Sequence, residues 1–135
     1  PGRMQIMAEN VFYDVAHNAN AIEKLSQDLY SIYNKKPIGL LILKNDKLTD
    51  KFLTLLYNEF EELIISTIDS KDILQKDDIL DNNQLQQFKF VDNITEALLE
   101  IQSIDYNGPK VIFGSHYIAK ELYQFFDFSF DNGTI

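Results

Sequence analysis

The stretch Pro37-Ile38-Gly39-Leu40-Leu41-Ile42-Leu43-Lys44-Asn45-Asp46-Lys47 decides the fold. Residues 38 to 43 form a continuous apolar run, closed by a proline on one side and a polar loop on the other. A run without alternation reads as a strand covered on both faces, which is the situation of a central strand in a parallel sheet. Working outward on the N-terminal side, Ala21, Ile22, Leu25, Leu29, Ile32 and Tyr33 recur at helical spacing. This predicts a helix over 18–34 with one buried face, ended by Lys35-Lys36-Pro37. On the C-terminal side Thr49 is placed to cap a second helix, whose apolar positions Phe52, Leu53, Leu56 and Phe60 follow the same period. Strand and helix alternate around the central run, so the local pattern is that of βαβ units.

The same alternation extends to both ends. Asn10-Val11-Phe12-Tyr13 reads as a strand ending at Asp14, Leu63 to Ser66 as another, and Phe88 to Val91 as a third. Asp92-Asn93 lead into a helix carrying Ile94, Ala97, Leu98 and Ile101. After the turn signal Asn107-Gly108-Pro109, Lys110 to Phe113 forms a further strand, followed by Gly114-Ser115 and a helix to Phe126. Residues 69–87 are polar, with an Ile73, Leu74, Ile79, Leu80 pattern fit for a short helix, and Phe128 to Ile135 is placed as an edge strand or a loose tail. The run beginning at Asn10 is the first strand read from the sequence. The expected architecture is a three-layer, Rossmann-like α/β fold: a mostly parallel sheet of five or six strands with helices on both faces. In such a sheet the loops after the strand ends gather on one rim, where ligands bind. They are residues 14–18, 44–47, 66–69, 92–93 and 114–117.

The totals narrow the function classes. A chain of 135 residues suits one domain. Twelve basic residues against 21 acidic ones leave a net charge of −9, which repels a phosphate backbone or an anionic membrane surface. Without cysteine there is neither a disulfide framework nor a thiolate nucleophile, in keeping with a reducing cytoplasm. The longest apolar run is far too short to span a bilayer. A start at Pro1-Gly2-Arg3-Met4, with no initiator methionine, is read as that of an excised fragment.

Among the rim segments, Asp14-Val15-Ala16-His17-Asn18 is the richest: a carboxylate, an imidazole and an amide within one turn between a strand and a helix N-terminus, whose free N–H groups favour an anion. Read from the residues alone, Asn18 is also a good N-cap and Asp14 a satisfied polar residue leaving the sheet. Asp-x-Ala-His-Asn at a strand end, with Pro1-Gly2-Arg3-Met4 ahead of it, resembles the opening of the C-terminal domain of the folylpolyglutamate and dihydrofolate synthases, relatives of the Mur ligases. The family has Pro where this chain has Ala19. Leu41 to Lys47 is similar to the family's apolar strand and charged loop, and Lys110 to Ile118 to its strand, Gly-Ser turn and helix.

The resemblance implies an ATP-dependent ligase that adds L-glutamate to folate or dihydropteroate through an acyl phosphate. Arg3 and Asp14 would then bind the nucleotide, His17 would stand at the reacting carboxyl, and Ser115 and Lys44, or Lys47, would bind substrate. ATP and Mg²⁺ would be held mainly by a separate N-terminal domain; this chain has five glycines and no Gly-x-x-x-x-Gly-Lys-Ser/Thr loop to cradle phosphates. The chain alone is expected to fold, to be inactive, and to be monomeric, as the family is. Alternative readings are the C-terminal domain of a Mur peptide ligase, a stand-alone flavodoxin-like binding module, and a pure interaction domain. A phosphoacceptor receiver would carry an acidic pair after its first strand, where this chain offers Asp14 alone. The acidic set Asp69, Asp72, Asp77, Asp78 and Asp81 lacks the Gly and terminal Glu of an EF-hand and reads as a solvated face. His116 reads as a surface residue, and Phe125, Phe126, Phe128 and Phe130 as packing on the core.

Overall fold

A computed structural model of the chain describes residues 4–126. Its strands are β1 (Gln5–Ala8), β2 (Val11–Asp14), β3 (Ile38–Leu41), β4 (Glu62–Ser66), β5 (Lys89–Val91) and β6 (Lys110–Phe113). Its α-helices are α1 (Ala19–Tyr33), α2 (Asp50–Glu59), α3 (Lys76–Leu80), α4 (Ile94–Ser103) and α5 (Ala119–Phe125). The sheet runs in the order β1-β2-β6-β3-β4-β5. Strands β2 to β6 pair in parallel, and β1 joins the edge antiparallel to β2. This is the α/β, Rossmann-like, mostly parallel sheet expected from the sequence.

Alternation along each strand builds two apolar layers. Phe12, Leu41, Leu63, Ile65, Val111 and Phe113 face α1, α2 and α3. Val11, Tyr13, Leu40, Ile64 and Ile112 face α4 and α5. All four residues of β3 and of β6 are buried, which is why Ile38 to Leu43 shows no alternation. Gly39 leaves room on the first face: a Cβ there would lie 2.8 to 2.9 Å from Leu63, Phe60 and Phe113. The last two rings stack with centroids 4.9 Å apart and planes 6° from parallel. On the other face the buried Lys110 donates from Nζ to the carbonyl oxygens of Gln102 and Ile104 at the end of α4, a helix with no basic residue in its last turn. Burial lowers the Lys110 pKa, against the pull of Asp105.

Helix boundaries follow the cap chemistry. Asn18 caps α1 by accepting from the Ala21 N–H at 2.9 Å, and Asn34 ends it at φ 56° in the left-handed region. Thr49 caps α2 through the Phe52 N–H at 3.2 Å, and Asn93 caps α4 through the Glu96 N–H at 3.1 Å.

One expectation is corrected. The strand at Asn10 is not the first: the residues before it contribute β1, which returns through a tight turn with Asn10 at φ 61° to pair with β2. Within β1 only Met7 is buried, while Ile6 is 64% exposed, so a four-residue edge strand leaves almost no periodic signal. In 69–87 the short helix is α3, followed by a 3₁₀ turn at Leu85–Gln87. The helix expected from Ser115 opens as a 3₁₀ turn, His116–Ile118, before α5. Phe125 and Phe126 pack against the α4 and α5 layer. The readings of Phe128, Phe130 and the tail to Ile135 lie outside the described residues.

Candidate functional site

Strand order fixes where a site can form. The helix after β2, α1, lies on one face, and the helix after β6, α5, lies on the other, although β2 and β6 are neighbours. The chain therefore parts at their carboxyl ends, the crevice at which ligands enter open α/β sheets. Asp14 pairs with Phe113 and Phe113 with Leu41, so the segments beginning at Asp14, Gly114 and Ile42 leave the sheet at one level. Asp14, His17, Lys44 and Ser115 all belong to this rim.

The turn after β2 is held by Asp14. Its Oδ1 accepts from the Ala16 N–H at 2.8 Å and its Oδ2 from the Met4 N–H at 2.9 Å. His17 is exposed, with Nδ1 at 3.2 Å from the Val15 carbonyl oxygen. A carbonyl only accepts, so this bond requires the proton on Nδ1 and leaves the Nε2 lone pair for a ligand or a proton. Beside the turn lies a cleft of about 310 Å³, whose walls include Met4, Asp14, His17, Asn18, Lys24 and Asp28. Lys24 and Asp28 pair at 3.2 Å on successive turns of α1, along one wall of the cleft.

The turn after β6 depends on Gly114, at φ 109°, where a Cβ would fall 2.3 Å from the Ile42 carbonyl oxygen. Ser115 is buried; its Oγ accepts from the Tyr117 N–H at 3.0 Å, and its carbonyl oxygen accepts from the Tyr13 hydroxyl at 3.0 Å. Burial raises the Tyr13 pKa well above the ordinary tyrosine range, with smaller contributions from Tyr123 and Asp14. Lys44 bridges to Ile73 and places Nζ 5.9 Å from the centroid of the Tyr117 ring. Ser115 and Lys44 thus meet at Tyr117, and neither lines the cleft of Asp14 and His17. The rim carries two neighbouring clusters, joined by the bond from Tyr13 to Ser115. Arg3, the remaining candidate, lies outside the described residues. His116 is exposed, with its ring 4.6 Å from that of Tyr117.

Two contributors escaped the sequence reading. Tyr13 reads as an ordinary core aromatic, and its link to Ser115 spans 102 residues. Met4 reaches the site beside the unforeseen β1, whereas Tyr117 lies in the rim segment 114–117 that the sequence singled out. Among the described residues no group of three or more His, Asp or Glu comes together to hold a metal ion. In the acidic stretch 69–81 Asp78 accepts from the Gln75 N–H, while Gln75 Nε2 donates to the carbonyls of Ile68, Ser70 and Ile73.

No family model matches the chain, and no curated protein matches it in sequence. Solved structures do match its fold. Folylpolyglutamate synthase of Mycobacterium tuberculosis, complexed with ADP and AMPPCP, superposes with a TM-score of 0.72 and 23% identity over 96% of this chain and 33% of the other. The FolC protein of E. coli, in complex with DHPP and ADP, gives a TM-score of 0.77 and 21% identity over 94% of this chain and 31% of the other. The bifunctional folylpolyglutamate and dihydrofolate synthase of Yersinia pestis, with AMPPNP and a manganese ion, gives 0.71 and 21% over 90% and 31%. The chain spans about a third of the length of the proteins it matches. Its fold is therefore one found as a portion of proteins named folylpolyglutamate synthase.

Proposed function

We propose that this chain is the C-terminal domain of an ATP-dependent carboxylate–amine ligase of the folylpolyglutamate synthase type. The observation that carries the reading is the Asp14-Val15-Ala16-His17-Asn18 turn at the crevice between β2 and β6, in a fold shared with such enzymes. In this reading a folate or dihydropteroate carboxylate and the amine of L-glutamate meet on the rim. One matching protein was solved with manganese, AMPPNP and L-glutamate bound.

The residues of this chain have limited parts to play. His17, with a free Nε2, receives a proton or orients the reacting carboxyl. Lys44 offsets the charge of a substrate carboxylate, and Ser115, whose hydroxyl proton stays available, donates to it. Asp14 and Arg3 are assigned to the nucleotide side of the crevice. A Mg²⁺ ion does not fit the described residues, which offer one carboxylate and one imidazole in the Asp14 turn and no phosphate-cradling loop. Its ligands and most of the nucleotide site belong in this reading to an N-terminal domain, and the chain by itself is a cytoplasmic, monomeric, inactive unit. No helix among the described residues is long and apolar enough to cross a membrane.

The test is glutamate incorporation by the protein expressed from its whole coding sequence, comparing wild type with Asp14→Ala and His17→Ala. The reading expects turnover to fall by about 10²-fold or more for His17→Ala, the usual contribution of a proton-transferring side chain. Near-normal turnover in both variants would remove these residues from the site.

A further inference from the structure

Both carboxylate oxygens of Asp14 are committed to backbone N–H groups, and the two bonds do different things. The bond to Ala16, two residues on, is the local turn that an aspartate leaving a strand commonly makes. The bond to Met4, ten residues back, has no such local origin. In the ladder between β1 and β2 the outermost pair is Gln5 with Tyr13. Beyond it the Met4 N–H has no strand partner, and the Asp14 carboxylate takes that place.

Met4 also holds an unusual backbone. Its φ is 46°, in the left-handed region that side chains other than Gly and Asn seldom adopt, at a cost of about 1–2 kcal/mol. Nothing in the Met4 side chain favours this conformation, so its surroundings must impose it. Two contacts do so: the side chain packs on the core at the α1 face, and the amide is held by Asp14 at 2.9 Å. A hydrogen bond to a carboxylate is shorter and stronger than a neutral one, which suits it to hold a strained turn. Met4 lines the same cleft as Asp14, His17 and Asn18, so the strained residue stands at the wall of the site.

We propose that Asp14 is a positioning residue, a latch that holds Met4 in its left-handed turn at the wall of the cleft. The carbonyl carbon of Arg3 is bonded to the nitrogen that Asp14 holds. The latch stands independently of the ligase reading. A carboxylate has about four acceptor positions, and two are filled, so latching also leaves room for a ligand contact. Loss of turnover in Asp14→Ala would not tell the two roles apart, and the test has to read the backbone.

Limited trypsin digestion of the 135-residue chain does so, because the Arg3–Met4 peptide bond is a tryptic site whose nitrogen is the latched atom. Cleavage is followed by mass spectrometry as the appearance of a new N-terminus at Met4, with cleavage after Lys47 as an internal reference. Asp14→Ala is expected to raise the Arg3–Met4 rate by about tenfold, the loss of one hydrogen bond to a charged group, while the reference site is unchanged. Asn18→Ala, which loosens the start of α1 without touching Met4, is expected to leave both rates as in wild type. Equal acceleration in the two variants, or none in Asp14→Ala, would overturn the latch. Should Asp14→Ala not fold, amide exchange in the wild-type chain decides: the latch requires the Met4 N–H to exchange at least about tenfold more slowly than in a free peptide, and exchange at the free rate would refute it.

Discussion

Replacing Gly114 by alanine would test the geometry that sets the rim. Two costs add at this position. A left-handed backbone costs an L-residue about 1–2 kcal/mol, and φ 109° lies beyond even the usual left-handed well. The new Cβ would also lie 2.3 Å from the Ile42 carbonyl oxygen and 2.6 Å from Leu41 Cδ1. Backbone cannot yield as a side-chain end can, so β3 and β6 have to part where the Ile42 N–H donates to Phe113 at 3.1 Å. Forced overpacking of this kind costs about 1–3 kcal/mol, giving a total of about 2–5 kcal/mol. For a chain of this size each kcal/mol lowers Tm by about 3 °C, so thermal unfolding followed by circular dichroism should show a fall of about 6–15 °C. Asparagine is the discriminating variant. At position 34 it is native at φ 56°, but at 114 it should fare no better than alanine. A Gly114→Asn protein as stable as wild type would show that the close approach of the Ile42 carbonyl oxygen does not constrain this turn.

The other predictions concern the residues around that turn. Asn18→Ala removes the acceptor for the Ala21 N–H and should lower unfolding free energy by about 1 kcal/mol in urea titration; an unchanged midpoint would show that water caps α1 equally well. Tyr13→Phe leaves the Ser115 carbonyl oxygen without its 3.0 Å donor and should cost about 1–2 kcal/mol at neutral pH. The same residue gives an alkaline signature. Its folded pKa is raised, so the folded state keeps a proton that the unfolded chain gives up near pH 10. The stability it contributes is complete below pH 10 and is lost progressively above it, a decline that Tyr13→Phe should show less steeply. Parallel stability profiles for the two proteins would contradict the burial of that hydroxyl.

The parts of this fold that can be read from sequence are those where one burial pattern dominates. In α1 the cap Asn18, the buried Ile22, Leu25 and Leu29, and the left-handed Asn34 each give a local signal, and all agree. β3 and β6 are buried throughout, so their apolar runs had a single reading. β1 lacked that support because an edge strand with one buried residue is specified by its partner, not by its own pattern. The same holds for the site. Asp14, His17, Lys44 and Ser115 could be placed on one rim because each follows a strand end. Which of them share a cleft could not be read, since that depends on α1 and α5 leaving on opposite faces. Contacts across 102 residues, such as Tyr13 to Ser115, leave no trace in local spacing. Neither does the direction of a side chain such as His17, whose ring is set by the Val15 carbonyl.

The most direct test of the ligase reading is ATP-dependent transfer of labelled L-glutamate onto folate or dihydropteroate, measured in parallel for the protein expressed from its whole coding sequence and for residues 1–135 alone. The account predicts amide product and equimolar ADP from the whole protein and neither from residues 1–135. Product from residues 1–135 alone, or none from the whole protein with either acceptor, would contradict it.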